Sequence, residues 1–436
     1  MRKLSAVNGT RRSFSQAPFV THFVVPSFAV PLICLCCLAC SITFLSTPRS
    51  VSLNFATFTT PRLSQSFHLR MDETGNKDRL CANCGKAAEH DCGKCETTWY
   101  CGRGCQKEAW SSHKTICGKT GTDLVVHRAG QLLQDVYLMM REMTFDNAIK
   151  SIQDRGEYLL VRDDQMIPGT IFPFPSWLIH NDKHKKMVLT TLICQEPTAF
   201  LHDFLKEMLD GECSQHLPLK LYLTASDIDV TLEEHNIQLK KPAKTVRIEA
   251  QLETLDMNKF LHSVVIVKSS DKAISWVIDV SGSQYSIFEA CLPKERYYQR
   301  YVSSTSAAYK YGVNKAIFET IKNMRGDGPL LARIGWHAAK KVNAAVSDWK
   351  VQSKLSLPEL LRKDERAFVR ERKKLMETIK TSLSDFAADV AVAFREDIKN
   401  TYEYSRKNFW KSSMGLCPFQ DVADATERIS QAHRLY

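Results

Sequence analysis

Apolar and polar positions along this chain follow two periods. Within residues 120–155, Leu132, Leu133, Val136, Tyr137, Met139 and Met140 recur at the spacing of an amphipathic helix. Pro168, Pro173 and Pro175 then predict a loop. Runs rich in Val and Ile predict strands at Leu219 to Leu223, Val246 to Ala250, His262 to Val267 and Ile274 to Val280, parted by polar turns such as Ser269-Ser270-Asp271. From about residue 355 the helical period returns. Leu361, Phe368, Leu375, Ile379, Leu383, Phe386, Val390, Phe394 and Ile398 form one continuous stripe. Arg362, Arg366, Arg370, Lys373 and Lys374, among Glu365, Glu371 and Glu377, read as its solvated face. The fold class is therefore α+β, with a mixed α/β body over residues 120–345 and a helical region over 346–436.

Residues 78–119 fit neither period. Cys81, Cys84, Cys92, Cys95, Cys101, Cys105, His113 and Cys117 fall at the spacing C-x2-C-x7-C-x2-C-x5-C-x3-C-x7-H-x3-C. Eight such ligands make two closed tetrahedral sites for two structural Zn2+. A segment this short cannot bury a self-sufficient core, so metal has to hold it. Each C-x2-C pair suits a tight turn, and Cys101/Cys105 and His113/Cys117 are i, i+4 pairs that suit a helical turn. Nested pairing is open, but interleaving ties the short chain together better. It assigns Cys81, Cys84, Cys101 and Cys105 to one zinc and Cys92, Cys95, His113 and Cys117 to the other. Arg79, Lys86, Lys94, Arg103, Lys107, Lys114 and Lys119 offset the thiolate charge. A disulfide cluster suits the odd cysteine count and the histidine less well.

This stretch resembles a MYND-type zinc finger at all eight ligand positions, and the finger-plus-body layout is similar to that of fungal MYND proteins. The resemblance covers only the finger. It implies an interleaved two-zinc module that binds proteins, often through short proline-rich peptides, rather than DNA. It also implies that Gln106 and Trp110 contact the peptide. Their i, i+4 spacing puts them on one helix face, where an indole and an amide suit a polyproline II ligand. Alternatively, Trp110 packs on the zinc loop as core.

Charge sharpens the picture. The net charge is +11, and residues 1–71 hold seven basic residues (Arg2, Lys3, Arg11, Arg12, Arg49, Arg62 and Arg70) and no acidic one. That leaves +4 for the other 365 residues, too weak a basic bias for a DNA-binding body. Residues 1–70 read as a non-globular leader. Its apolar segment 23–45 is long enough to span a bilayer, although Pro26 and Pro31 weaken a straight helix. Three readings stay open: a targeting leader, a membrane anchor, or a natural start at Met71, the favoured one. Zinc-binding thiolates need a reducing, intracellular compartment such as cytoplasm or nucleus. Membrane association then requires that 23–45 be translated and inserted.

Enzymatic motifs are sparse, and no catalytic residue is assigned. No Asn-His-x-Cys motif of SET-domain methyltransferases follows the finger. The His180/His184 pair has Asn181 where a HExxH protease needs glutamate. His262 and Asp279 on neighbouring predicted strands resemble the core hairpin of transglutaminase-like and papain-like folds, where aspartate orients the histidine that activates a cysteine. Cys194 and Cys213 are the upstream candidates. An inactive relative of that fold and a plain β-hairpin are the alternatives. The sequence thus predicts a zinc-binding adaptor, with a cysteine enzyme or its inactive relative as the second reading.

Overall fold

The structure is a computed structural model. It describes residues 81–435 except 82, 85, 94–98, 118–120, 164–170, 211–229, 251–252, 257–259, 271–273, 364 and 414–419. The leader 1–70, its segment 23–45, and the predicted strand Leu219 to Leu223 lie outside the described residues. No helix among the described residues is long and apolar enough to cross a membrane.

The elements run in chain order as β1 (His90–Asp91), β2 (Trp99–Tyr100), α1 (Arg103–Cys117), α2 (Gly121–Met143), β3 (Ile149–Asp154) and β4 (Tyr158–Asp163). Three helices follow: α3 (Asp182–Leu189), α4 (Glu196–Phe200) and α5 (His202–Leu209). Then come β5 (Val230–Leu239), β6 (Thr245–Ala250), β7 (Glu253–Asp256), β8 (His262–Ser269), β9 (Ser275–Ile278) and β10 (Cys291–Pro293). The chain continues through α6 (Lys294–Tyr301), β11 (Val302–Lys310), α7 (Val313–Ile321) and α8 (Asp327–Ser353). It closes with α9 (Leu357–Arg362), α10 (Glu365–Ala393), α11 (Arg395–Ser413) and α12 (Gln420–His433).

A five-stranded antiparallel sheet in the order β10-β9-β8-β5-β11 forms the centre of the body. Its middle strand, β8, is apolar on both faces because both are covered. Val265 and Val267 join a core shared with α2, α5 and the C-terminal helices, while Val264 and Ile266 face a second core with Leu159, Val246 and Tyr297. Strand alternation thus makes one short run the wall between two cores. A second sheet, β3-β4-β6-β7, pairs β4 with β6 in parallel.

Local chemistry explains how the helices end and join. Ser356 and Glu359 form a capping box at the start of α9, with Pro358 in the first turn. After α9 the chain breaks at Lys363, and α2 covers the break. Arg128 is buried and donates to the carbonyls of Leu361 (2.9 Å) and Lys363 (2.7 Å) while stacking on Phe368. The orphan carbonyls of a helix end are thereby paired from another helix. The helix α8 runs through residue 346 and buries Val342, Val346 and Trp349 in the α2 core.

Gly335 on α8 illustrates the packing. A Cβ there would lie 2.4 Å from Phe200 Cζ, and that ring is fixed edge-on against Phe318 and Trp336. Alanine gains up to about 1 kcal/mol of helix propensity, but overpacking a rigid core costs about 1–3 kcal/mol. Gly335→Ala is expected to lower the thermal unfolding midpoint, and a raised midpoint would contradict this account of the contact.

Three expectations need correction. The helical pattern over 120–155 stops at Met143, and residues 149–163 form the β3–β4 hairpin. The turn is set by Gly156 (φ 76°), whose N–H donates to Asp154 Oδ1 at 2.9 Å. The C-terminal stripe lies in the core as read from Leu361 to Phe394, with Ile398 partly buried. It is not one continuous helix, because it is broken after Arg362 and again at Phe394. Glu371 is buried rather than solvated, paired with Arg370 (2.8 Å) and Lys374 (3.2 Å).

Candidate metal centre and a second polar cluster

The finger begins with a turn closed by the Cys81 N–H donating to Lys86 O (2.7 Å). The strands β1 and β2 pair His90 with Tyr100 and Asp91 with Trp99. The helix α1 then brings Cys105 in its first turn beneath Cys101, and Asn83 ties the turn to it through Glu108 Oε2 (2.8 Å). Its core is small: Cys81, Cys92 and Tyr100 are buried, with Ala88 and Ala109 packed beside them. So little apolar area cannot hold the fold alone.

The sulfurs supply the rest. Those of Cys81, Cys84, Cys101 and Cys105 all lie within 4.8 Å of one another. Cys84 and Cys101 are 3.6 Å apart, and Cys101 and Cys105 are 3.4 Å apart. Tetrahedral zinc with Zn–S bonds of about 2.3 Å separates its sulfurs by about 3.8 Å, so the quartet fits the ion. The electrostatics agree. Cys101 donates to the Cys105 sulfur, and this hydrogen bond, with those to Cys84 and Cys81, holds its proton and pushes the thiol up to about 12. Burial raises Cys81, but the backbone N–H groups of Cys84, Cys101 and Asn83 outweigh it and hold the thiol down to about 6. Four crowded sulfurs cannot all ionise without a cation, and a divalent ion supplies that charge.

Of the second ligand set, Cys92 is buried and Cys95 lies outside the described residues. His113 and Cys117 fall on α1, with their side chains undescribed. One four-sulfur cluster is therefore present among the described residues. Gln106 and Trp110 lie one turn apart on α1, the first half-buried and the second 39 % exposed.

The family profile of the MYND finger matches residues 81–117. Those residues are a MYND finger. Similar curated proteins include the zinc finger MYND domain-containing protein 10 homolog of Drosophila melanogaster, 41% identical over 46 residues, 11% of this chain and 10% of that protein. Protein CBFA2T2 of Xenopus laevis is 34% identical over 59 residues, 14% and 10% of the two chains. Tudor domain-containing protein 1 of Mus musculus is 46% identical over 41 residues, 9% and 4%. The matches thus span a tenth or less of the relatives' length, and no solved structure matches the chain. The MYND finger supports a zinc-binding role in protein interaction.

Within the body, β8 and β9 bring His262 and Asp279 together. His262 Nε2 is 2.8 Å from Asp279 Oδ1, and the Tyr297 hydroxyl donates to Asp279 Oδ2 at 2.7 Å. All three are buried. Gly282 lets the backbone close over the carboxylate, since a Cβ there would lie 2.1 Å from Asp279 Oδ2. The remaining ring nitrogen, Nδ1, is buried without an aligned hydrogen-bond partner. The Cys194 thiol lies beside the ring and also donates to Leu261 O at 3.9 Å. Burial alone would lower the His262 pKa, but the charge and hydrogen bond of Asp279, with Cys194 beside it, lift it to about 10.

Cys194 is presented by the loop between α3 and α4, where Leu192 is left-handed (φ 62°) and its N–H donates to Gln284 Oε1 at 3.1 Å. Cys213 lies outside the described residues. Sequence reasoning missed Tyr297 and Gln284, which stand in no motif and meet the site only through folding. His180 and His184 belong to neither cluster: Asn181 is the N-cap of α3, accepting from His184 N at 2.9 Å.

Proposed function

We propose that this chain is an adaptor whose MYND finger, held by two zinc ions in interleaved sets, presents Gln106 and Trp110 to a short, proline-rich peptide of a partner protein. The observation that carries the reading is Trp110, a large apolar side chain that keeps 39 % exposure on a helix fixed at the four-sulfur cluster. The half-buried Gln106 amide lies one turn away. Indole faces stack on proline rings, and an amide reads the free carbonyls of a polyproline II chain. Zinc-binding thiolates suit a reducing, intracellular compartment. DNA is not an expected partner, and membrane association depends on segment 23–45 being inserted.

The test is fluorescence anisotropy with labelled proline-rich peptides. Gln106→Ala with Trp110→Ala is expected to weaken binding by about 30-fold or more, the loss of a hot spot worth about 2 kcal/mol. Zinc content and thermal midpoint should stay at the parent values. Unchanged affinity in the double variant would reject the reading.

A further inference from the structure

We propose that Cys194, His262 and Asp279 form a second chemical site, in the body, that transfers acyl groups from amides or esters through a thioester on Cys194. This goes beyond the adaptor reading and is independent of it. The three residues come from the α3–α4 loop, the start of β8 and the residue just after β9, so folding alone assembles them. Asp279 holds one imidazole nitrogen at 2.8 Å and is itself fixed by Tyr297 at 2.7 Å, which locks the ring. Tyr285 packs edge-on against that ring, with centroids 5.0 Å apart. The other nitrogen is buried without an aligned partner, and the Cys194 sulfur lies 3.9 Å from the carbonyl oxygen of Leu261, the residue directly before His262. Looser sulfur–imidazole alignment is usual before substrate arrives. The loop carrying the sulfur holds a left-handed Leu192, a backbone state that needs outside support and here gets it from Gln284. Cys194 also keeps 7 % exposure where His262 has 0 %.

The roles follow from the positions. An imidazolium beside a thiol stabilises the thiolate. The thiolate attacks the acyl carbon, forming the S–C bond. The leaving nitrogen or oxygen departs with its bonding electrons and takes the proton from His262 Nδ1. Neutral His262 then takes a proton from water, whose oxygen attacks the thioester. The C–S bond breaks, the carboxylic acid leaves, and the thiolate–imidazolium pair is restored.

The test uses the full chain with p-nitrophenyl acetate near neutral pH, reading p-nitrophenolate release and locating the acetyl group by peptide mass mapping. The expected result is acetylation of Cys194 at least about 100-fold faster than of Cys291, a buried thiol of the same body that burial pushes up. Cys194→Ser, which keeps the shape, should abolish the thioester. His262→Gln, confirmed as folded by circular dichroism, should slow acetylation by about 100-fold or more. No acetyl group on Cys194 in the parent protein, or an equal rate in folded His262→Gln, would overturn the proposal.

Discussion

Replacing Cys101 with serine is expected to unfold residues 81–117 while the body keeps its structure. Cys101 touches both Cys84 and Cys105, so its loss opens the four-sulfur cluster at the centre. Structural zinc contributes about 10–16 kcal/mol to small fingers at neutral pH. The apolar core of Cys81, Cys92 and Tyr100 offers nothing of that size in exchange. Hydrogen exchange read by mass spectrometry checks it. Amide protection should vanish along α1 and persist along β8, whose side chains are enclosed by two cores. Removing zinc from the parent with a chelator should reproduce the pattern. Protection of α1 surviving in Cys101→Ser would show that the finger holds without its metal.

His262→Ala should cost the body about 3–5 kcal/mol, the penalty of leaving a buried charge without its partner. Asp279 is buried to 1 % and would keep only the Tyr297 hydroxyl. The effect should appear as a lower urea midpoint at unchanged m-value. It also carries a pH signature. The folded-state pKa of His262 is about 10 against an ordinary 6.5, so the pair's contribution is complete below pH 6.5 and is lost as pH rises through about 10. The gap between parent and His262→Ala should therefore narrow over that window. A constant gap from pH 6.5 to 10 would mean that the pair is neutral in the folded protein.

The finger was the most legible part of the sequence, for a physical reason. Metal ligands must sit on tight turns or one helical turn apart, so the chemistry is written as local spacing, and Cys101 and Cys105 fall where that spacing puts them. The central strand β8 was legible too, because burial on both faces leaves an unbroken apolar run. Its neighbour β5 was not, since its run Val-Thr-Leu-Glu-Glu-His holds two buried polar residues. Glu234 is buried because its carboxylate accepts from the N–H groups of Gly312 (2.8 Å) and Asn314 (3.0 Å), capping α7 from a distant strand. His235 is buried between Tyr298 and Glu233. Such tertiary satisfaction of polar groups leaves no periodic trace.

The second cluster falls between these extremes. His262 and Asp279 were readable as residues of neighbouring strands, because a short polar turn joins the two apolar runs that carry them. The choice between Cys194 and Cys213 was not, since it depends on where an upstream loop packs.

Native mass spectrometry of the intact chain, purified under reducing conditions, tests the central claim most directly. The zinc-held finger predicts two zinc ions per chain in the parent protein, and fewer in Cys101→Ser. A metal-free chain, with the finger cysteines recovered as disulfides, would contradict it.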